Sequence, residues 1–123
     1  MILLNNLFTI TGSSHSDEGF DYQILLDEKS IIYSAHFPGK PITPGVCIIQ
    51  IAQELYEEDT KRTLRLMKIK NVKFLSVMVP GDNKSFVYKF RKMVEENGIV
   101  RFQVSVSREE TVFAKMSLEC KIA

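Results

Sequence analysis

His36-Phe37-Pro38-Gly39-Lys40-Pro41-Ile42-Thr43-Pro44-Gly45 runs directly into Val46-Cys47-Ile48-Ile49-Gln50-Ile51-Ala52-Gln53-Glu54-Leu55-Tyr56-Glu57. In the second block Val46, Cys47, Ile48, Ile49, Ile51, Ala52, Leu55 and Tyr56 cover most of a helical circumference. A helix apolar nearly all round is a buried one, so the pattern predicts an enclosed helix over about Pro44 to Asp59. Its polar residues are ordered: Gln50, Gln53, Glu54 and Glu57 recur at i, i+3, i+4 and i+7, a single narrow stripe. Thr43 is the expected N-cap, with Pro44 at the first helical position.

What encloses such a helix is written downstream. Phe86, Tyr88 and Phe90 alternate with polar residues, as do Val100, Phe102, Val104 and Val106, and again Val112, Ala114, Met116, Leu118, Cys120 and Ile122. Each run predicts a strand with one buried face. The short polar connectors Glu95-Glu96-Asn97-Gly98 and Arg108-Glu109-Glu110 predict an antiparallel meander. Leu64 to Val77 reads as a further strand region ending at the turn Pro80-Gly81-Asp82-Asn83. Phe8 to Thr11 and Phe20 to Leu26 are weaker candidates flanking a Gly12-Ser13-Ser14-His15-Ser16 loop. One helix and several one-faced strands give an α+β fold in which the sheet wraps the helix, with Val104, Val106, Met116 and Leu118 facing it.

The bulk properties agree with one domain over residues 1–123. At 14.1 kDa, two independent cores would each fall near the lower limit of what folds alone. A hydrophobic content of 45% with 25% charged residues is globular, and no apolar run is long enough to cross a membrane. The amino terminus lacks a basic region before its short apolar run, so no secretory signal is read and the cytoplasm is the expected compartment. A net charge of +1 argues against a nucleic-acid partner bound through a broad basic surface. Lys61, Arg62, Arg65, Lys68, Lys70 and Lys73 nonetheless form a run without an acid, either a solvated face or a docking patch for an acidic partner. Cys47 and Cys120 have neither a CxxC partner nor a nearby histidine and read as buried, inert thiols, with no metal implied. His15 has no partner in sequence and is given no role.

The chemistry lies in the segment that enters the helix. Three prolines and two glycines in ten residues fix an irregular backbone beside His36. The free amides at the helix start, around Gly45 and Val46, suit negative charge on an oxygen. A base of near-neutral pKa and amides for an enolate-like oxygen are the parts needed to remove a proton beside a carbonyl. His36 could instead be a structural histidine that holds the loop.

HFPGKPITPGV followed by an apolar helix resembles the signature of the 3-hydroxyacyl-acyl-carrier-protein dehydratases of the hot-dog fold, and Val79-Pro80-Gly81-Asp82 resembles their second turn motif. The resemblance runs from about Phe8 to the C-terminus. It implies a long helix wrapped by a curved antiparallel sheet, a homodimer or higher homo-oligomer whose sheets join edge to edge, acyl tunnels at the interface, acyl carrier protein as partner and no cofactor. It implies His36 as catalytic base, helix amides on the thioester carbonyl, and Phe37, Gly39, Gly45, Val46 and Glu54 as substrate-binding residues. It also implies that His36 of one chain faces the Gln50 and Glu54 stripe of the other.

One departure stands out. The family's catalytic carboxylate, fourteen residues after the histidine, is Gln50 here. An amide donates and accepts hydrogen bonds but lends no proton, so Gln50 could orient a hydroxyl or a water, or be a satisfied polar residue at an interface. Glu54 lies one turn further, roughly 6 Å along the axis, and reads as a partly solvated or interface-paired carboxylate. Such an altered pattern resembles the dehydratases of aryl polyene and related pigment pathways. The expected activity is dehydration of a 3-hydroxyacyl thioester, a lyase reaction. The alternatives are a non-catalytic acyl-binding subunit paired with an active paralogue, and an acyl thioesterase.

Overall fold

The computed structural model describes residues 2–36, 39 and 41–123. Among these, the elements run β1 (Phe8–Ser16), β2 (Gly19–Leu26), α1 (Ile31–His36), α2 (Gly45–Thr60), β3 (Leu64–Phe74), β4 (Phe86–Glu96), β5 (Ile99–Arg108) and β6 (Thr111–Ile122). The strands form one antiparallel sheet in the order β1-β2-β4-β5-β6-β3. The expected meander is β4-β5-β6, and its first hairpin closes through Asn97 and Gly98 at φ of 54° and 76°. Those left-handed angles match the twist of the flanking strands and suit Asn-Gly.

The helix α2 lies on the apolar face of the sheet. Ile51, Ala52 and Leu55 have no solvent exposure, and Tyr88, Phe90, Val104, Val106, Met116 and Leu118 are buried opposite. Tyr56 stacks on Phe102 with centroids 4.4 Å apart, while Phe20 stacks on Phe90 at 4.6 Å. The Tyr88 hydroxyl donates to the Ile48 carbonyl at 3.1 Å, a buried bond from mid-sheet to helix backbone. No helix among the described residues is long and apolar enough to cross a membrane.

Several local expectations change. The helix spans Gly45–Thr60, and its N-cap is Pro44 in extended conformation, not Thr43. Thr43 is committed elsewhere: its N–H donates to the Met78 carbonyl and its hydroxyl pairs with that of Tyr33. The Gly12 to Ser16 stretch continues β1 instead of forming a loop, because it pairs in register with Gly19 to Gln23. On an edge strand, exposed small polar side chains cost little. Strand β3 stops at Phe74, short of Val77. The short helix α1, between Ser30 and the proline-rich segment, carries too few residues for a periodic signal.

Candidate active site

Two separate ties hold the start of α2. Thr43 binds Tyr33 of α1 through its side chain at 2.9 Å and Met78 through its backbone at 2.9 Å. Thr43 is thereby clamped between α1 and the chain leading to the second turn motif. That turn is anchored in its own right. Asp82 accepts from both terminal nitrogens of Arg108, whose guanidinium lies 3.9 Å over the Phe86 ring.

The clamp presents two amides. Cys47 and Ile48 both donate to the Pro44 carbonyl at 3.0 and 3.1 Å, and Pro44 itself has no N–H. The N–H groups of Gly45 and Val46 have no acceptor among the described residues. Val46 is 72% exposed, so this end of the helix opens to solvent although the helix body is enclosed. Burial pushes the neighbouring Tyr33 hydroxyl up to about 12 and also raises the Cys47 thiol. Amides at a helix start present a dipole suited to a developing negative charge.

Phe74, to which the sequence assigned no role, lies against this end. A Cβ placed on Gly45 would fall 2.8 Å from its ring, so the close approach requires glycine. Gly39 is exposed with φ of 81°, again a conformation suited to glycine. His36 is the last residue of α1; its side chain, and Phe37 altogether, lie outside the described residues.

The polar stripe of α2 departs from expectation. Glu54 is neither partly solvated nor left to a partner chain: it has no solvent exposure. Its Oε1 accepts the N–H of Leu4 at 2.8 Å, the N–H of Leu3 reaches both oxygens at 3.0 and 3.1 Å, and Gln50 Nε2 donates to Oε2 at 2.9 Å. Gln53 donates to the Leu64 carbonyl, and Glu57 accepts the Leu64 N–H. The stripe is satisfied within its own chain because the N-terminal segment and the connector after α2 both turn backbone groups toward it. The Glu54 carboxylate is fully enclosed within its own chain. The structure joins Gln50 to Glu54 but leaves Gln50 only half-buried.

His15 also gains partners. Its Nε2 lies 2.6 Å from Asp59 Oδ1, which accepts the Tyr22 hydroxyl at 3.0 Å as well. This cluster ties the β1–β2 hairpin to the end of α2, across 44 residues of sequence that no local pattern could bridge.

Comparison with known proteins places this geometry. A family model described as ApeI-like, ApeI dehydratase, matches residues 12–117. A 3-hydroxyacyl-acyl-carrier-protein dehydratase FabZ of Clostridium acetobutylicum is 30% identical over 93 residues, 70% of this chain and 66% of that protein. One from Levilactobacillus brevis is 29% identical over 129 residues, covering 95% of this chain and 87% of the relative. The chain spans about half the length of another, from Acidiphilium cryptum, at 52%. Among solved structures, the dehydratase heterocomplex ApeI:P of Xenorhabdus doucetiae superimposes with a TM-score of 0.72 at 18% identity, over 92% of this chain and 96% of that one. A Pseudomonas aeruginosa thioesterase shares the architecture at a TM-score of 0.58 and 13% identity, covering 94% and 82%, so the architecture alone does not choose the reaction. The fold is the hot-dog fold, and the chain belongs to the ApeI-like dehydratase family.

Proposed function

We propose that this chain dehydrates a 3-hydroxyacyl thioester carried on acyl carrier protein to the trans-2-enoyl thioester, in fatty-acid or polyene-type biosynthesis in the cytoplasm. The observation that carries the reading is the pair of amides, Gly45 and Val46, that have no acceptor among the described residues, in a member of a dehydratase family. In this reading the thioester oxygen accepts from those amides and His36 removes the C2 proton. The C2–H electron pair forms the C2=C3 bond, the C3–O bond breaks, and the leaving hydroxide takes the proton from the imidazolium as water. In this reading Gly39 and the exposed flank of Val46 border the path of the bound thioester.

Partners follow from two surfaces. Strand β3 ends the sheet, its outer edge unpaired among the described residues, with Met67 51% and Ile69 43% exposed. Such an edge is a template for a second hot-dog chain, giving a homodimer or larger homo-oligomer. The outer face of the sheet gathers cations from several strands. Lys89, Ser105, Lys115 and Lys73 lie in one row of paired residues, with Arg91, Gln103, Ser117 and Asn71 in the next. Lys73, Lys89 and Lys115 enter no ion pair among the described residues. An acidic carrier protein fits this face.

A second reading has one specific observation in its favour: the family carboxylate is replaced by Gln50, and the nearest carboxylate, Glu54, is enclosed. In it the chain is a non-catalytic subunit paired with an active paralogue. Dehydration of a short 3-hydroxyacyl carrier protein by the chain alone separates the two. Turnover that His36→Ala abolishes supports the enzyme; turnover that appears only with a paralogue present, and survives His36→Ala, supports the subunit.

A further inference from the structure

Glu54 is a buried carboxylate that enters no ion pair among the described residues. Among the described residues, the groups that reach it are N–H donors: the backbone of Leu3 and Leu4, and the Gln50 side chain. A carboxylate placed among donors acts as an acceptor only. This fixes something that an isolated amide leaves free. Of the two ends of the Gln50 amide, only the nitrogen can meet Glu54, so the oxygen must point away from it. Gln50 is the half-buried member of the pair and Glu54 the enclosed one.

We infer that Glu54 is a positioning residue for the dehydratase site: it locks the Gln50 amide with its oxygen turned outward, as the acceptor for the hydroxyl that the substrate loses. The inference rests on the dehydratase reading and assigns a task to the residue standing where the family has its carboxylate. A hydrogen bond from an amide to a carboxylate draws electron density toward the amide oxygen and strengthens it as an acceptor. Held by that oxygen, the substrate hydroxyl keeps its lone pairs turned toward the proton returning from His36. No second acid is then required, and one base both takes and returns the proton.

Two measurements test this. The first needs no turnover. In the wild type, the Gln50 side-chain NH2 resonances, assigned by their loss in Gln50→Ala, should include one proton shifted downfield and slow to exchange. Both features should vanish in Glu54→Gln. Resonances like those of a free glutamine in the wild type would overturn the inference. The second is a cycle of kcat values. Glu54→Gln should lower kcat on the order of 10-fold with KM little changed, and should have almost no further effect when Gln50 is already Ala. A purely structural Glu54, holding only Leu3 and Leu4, would lower activity equally in both backgrounds, and that result would overturn the inference. If Glu54→Gln does not fold, Glu54→Asp replaces it, because it keeps the charge but withdraws it by one methylene. A wild type without turnover but with the locked amide would reject the dehydratase reading and retain the pair as architecture.

Discussion

The Phe74 ring, at the end of the edge strand, lies so close to Gly45 that a Cβ there would sit 2.8 Å from it. The start of α2 is thereby coupled to the last residue of β3. Gly45→Ala adds a good helix former but must push the ring aside, next to two amides that have no acceptor among the described residues. Expected is a turnover lower by about 10-fold or more with a melting temperature nearly unchanged, since misplacing one donor in such a site is costly. Phe74→Ala in the same background should recover part of the loss. Equal loss of stability and turnover would argue that Gly45 serves only the backbone.

The Gln50 and Glu54 pair makes carboxylate restoration a sharper experiment. Gln50→Glu alone places a second acceptor against Glu54 Oε2, which Gln50 meets at 2.9 Å. Two carboxylates at that distance cannot both ionise easily, so one holds a proton. This variant should lose stability as pH rises from 5 to 8. The exchange Gln50→Glu with Glu54→Gln restores a donor and an acceptor in reversed order. It should recover the lost stability and raise dehydration of ordinary 3-hydroxyacyl substrates, by virtue of an acid at the family position. Thermal melts across pH and rates on a short substrate check both.

Charge reversal reads out the outer sheet face. Lys89→Glu with Lys115→Glu should weaken carrier-protein binding strongly at low ionic strength and much less at 0.5 M salt, because the screening length falls from about 30 Å at 0.01 M to well under 10 Å there. Folding should be unaffected, as neither lysine is ion-paired among the described residues. Binding that ignores the reversal would leave the face as solvated surface.

Alkaline pH should unfold this protein early. Burial holds Cys120 up to about 11 and Tyr33 up to about 12, and raises Tyr22, Tyr56, Tyr88 and Cys47. The folded state keeps protons that the unfolded chain releases from its ordinary values of 9.0 for cysteine and 10.0 for tyrosine. The resulting stability is full below pH 9 and is lost as pH climbs toward 12. Melting temperatures from pH 7 to 11 should fall steeply past 9, and both thiols should resist alkylation at pH 8 until the chain unfolds.

Tyr88→Phe isolates the bond from sheet to helix. It leaves the buried Ile48 carbonyl without its Tyr88 donor, at a cost of about 1 kcal/mol or slightly more. Denaturant titration should show that loss with an unchanged slope.

The sequence by itself determined the elements whose periodicity is local. The enclosed helix showed in the near-complete apolar circumference from Val46 to Tyr56, and β4, β5 and β6 in strict alternation joined by turns such as Asn97-Gly98. The motif from His36 to Val46 pointed to the family, because its backbone requirements are written in prolines and glycines. Only the tertiary structure decided what meets that framework across long separations. Thr43 looks like a cap until Tyr33 and Met78 claim it, and Gly12 to Ser16 looks like a loop until β2 pairs with it. Glu54 looks solvated until Leu3 and Leu4, about fifty residues away, fold their amides onto it. A polar side chain records in sequence only that it needs partners; which groups supply them is fixed by the packing of distant segments.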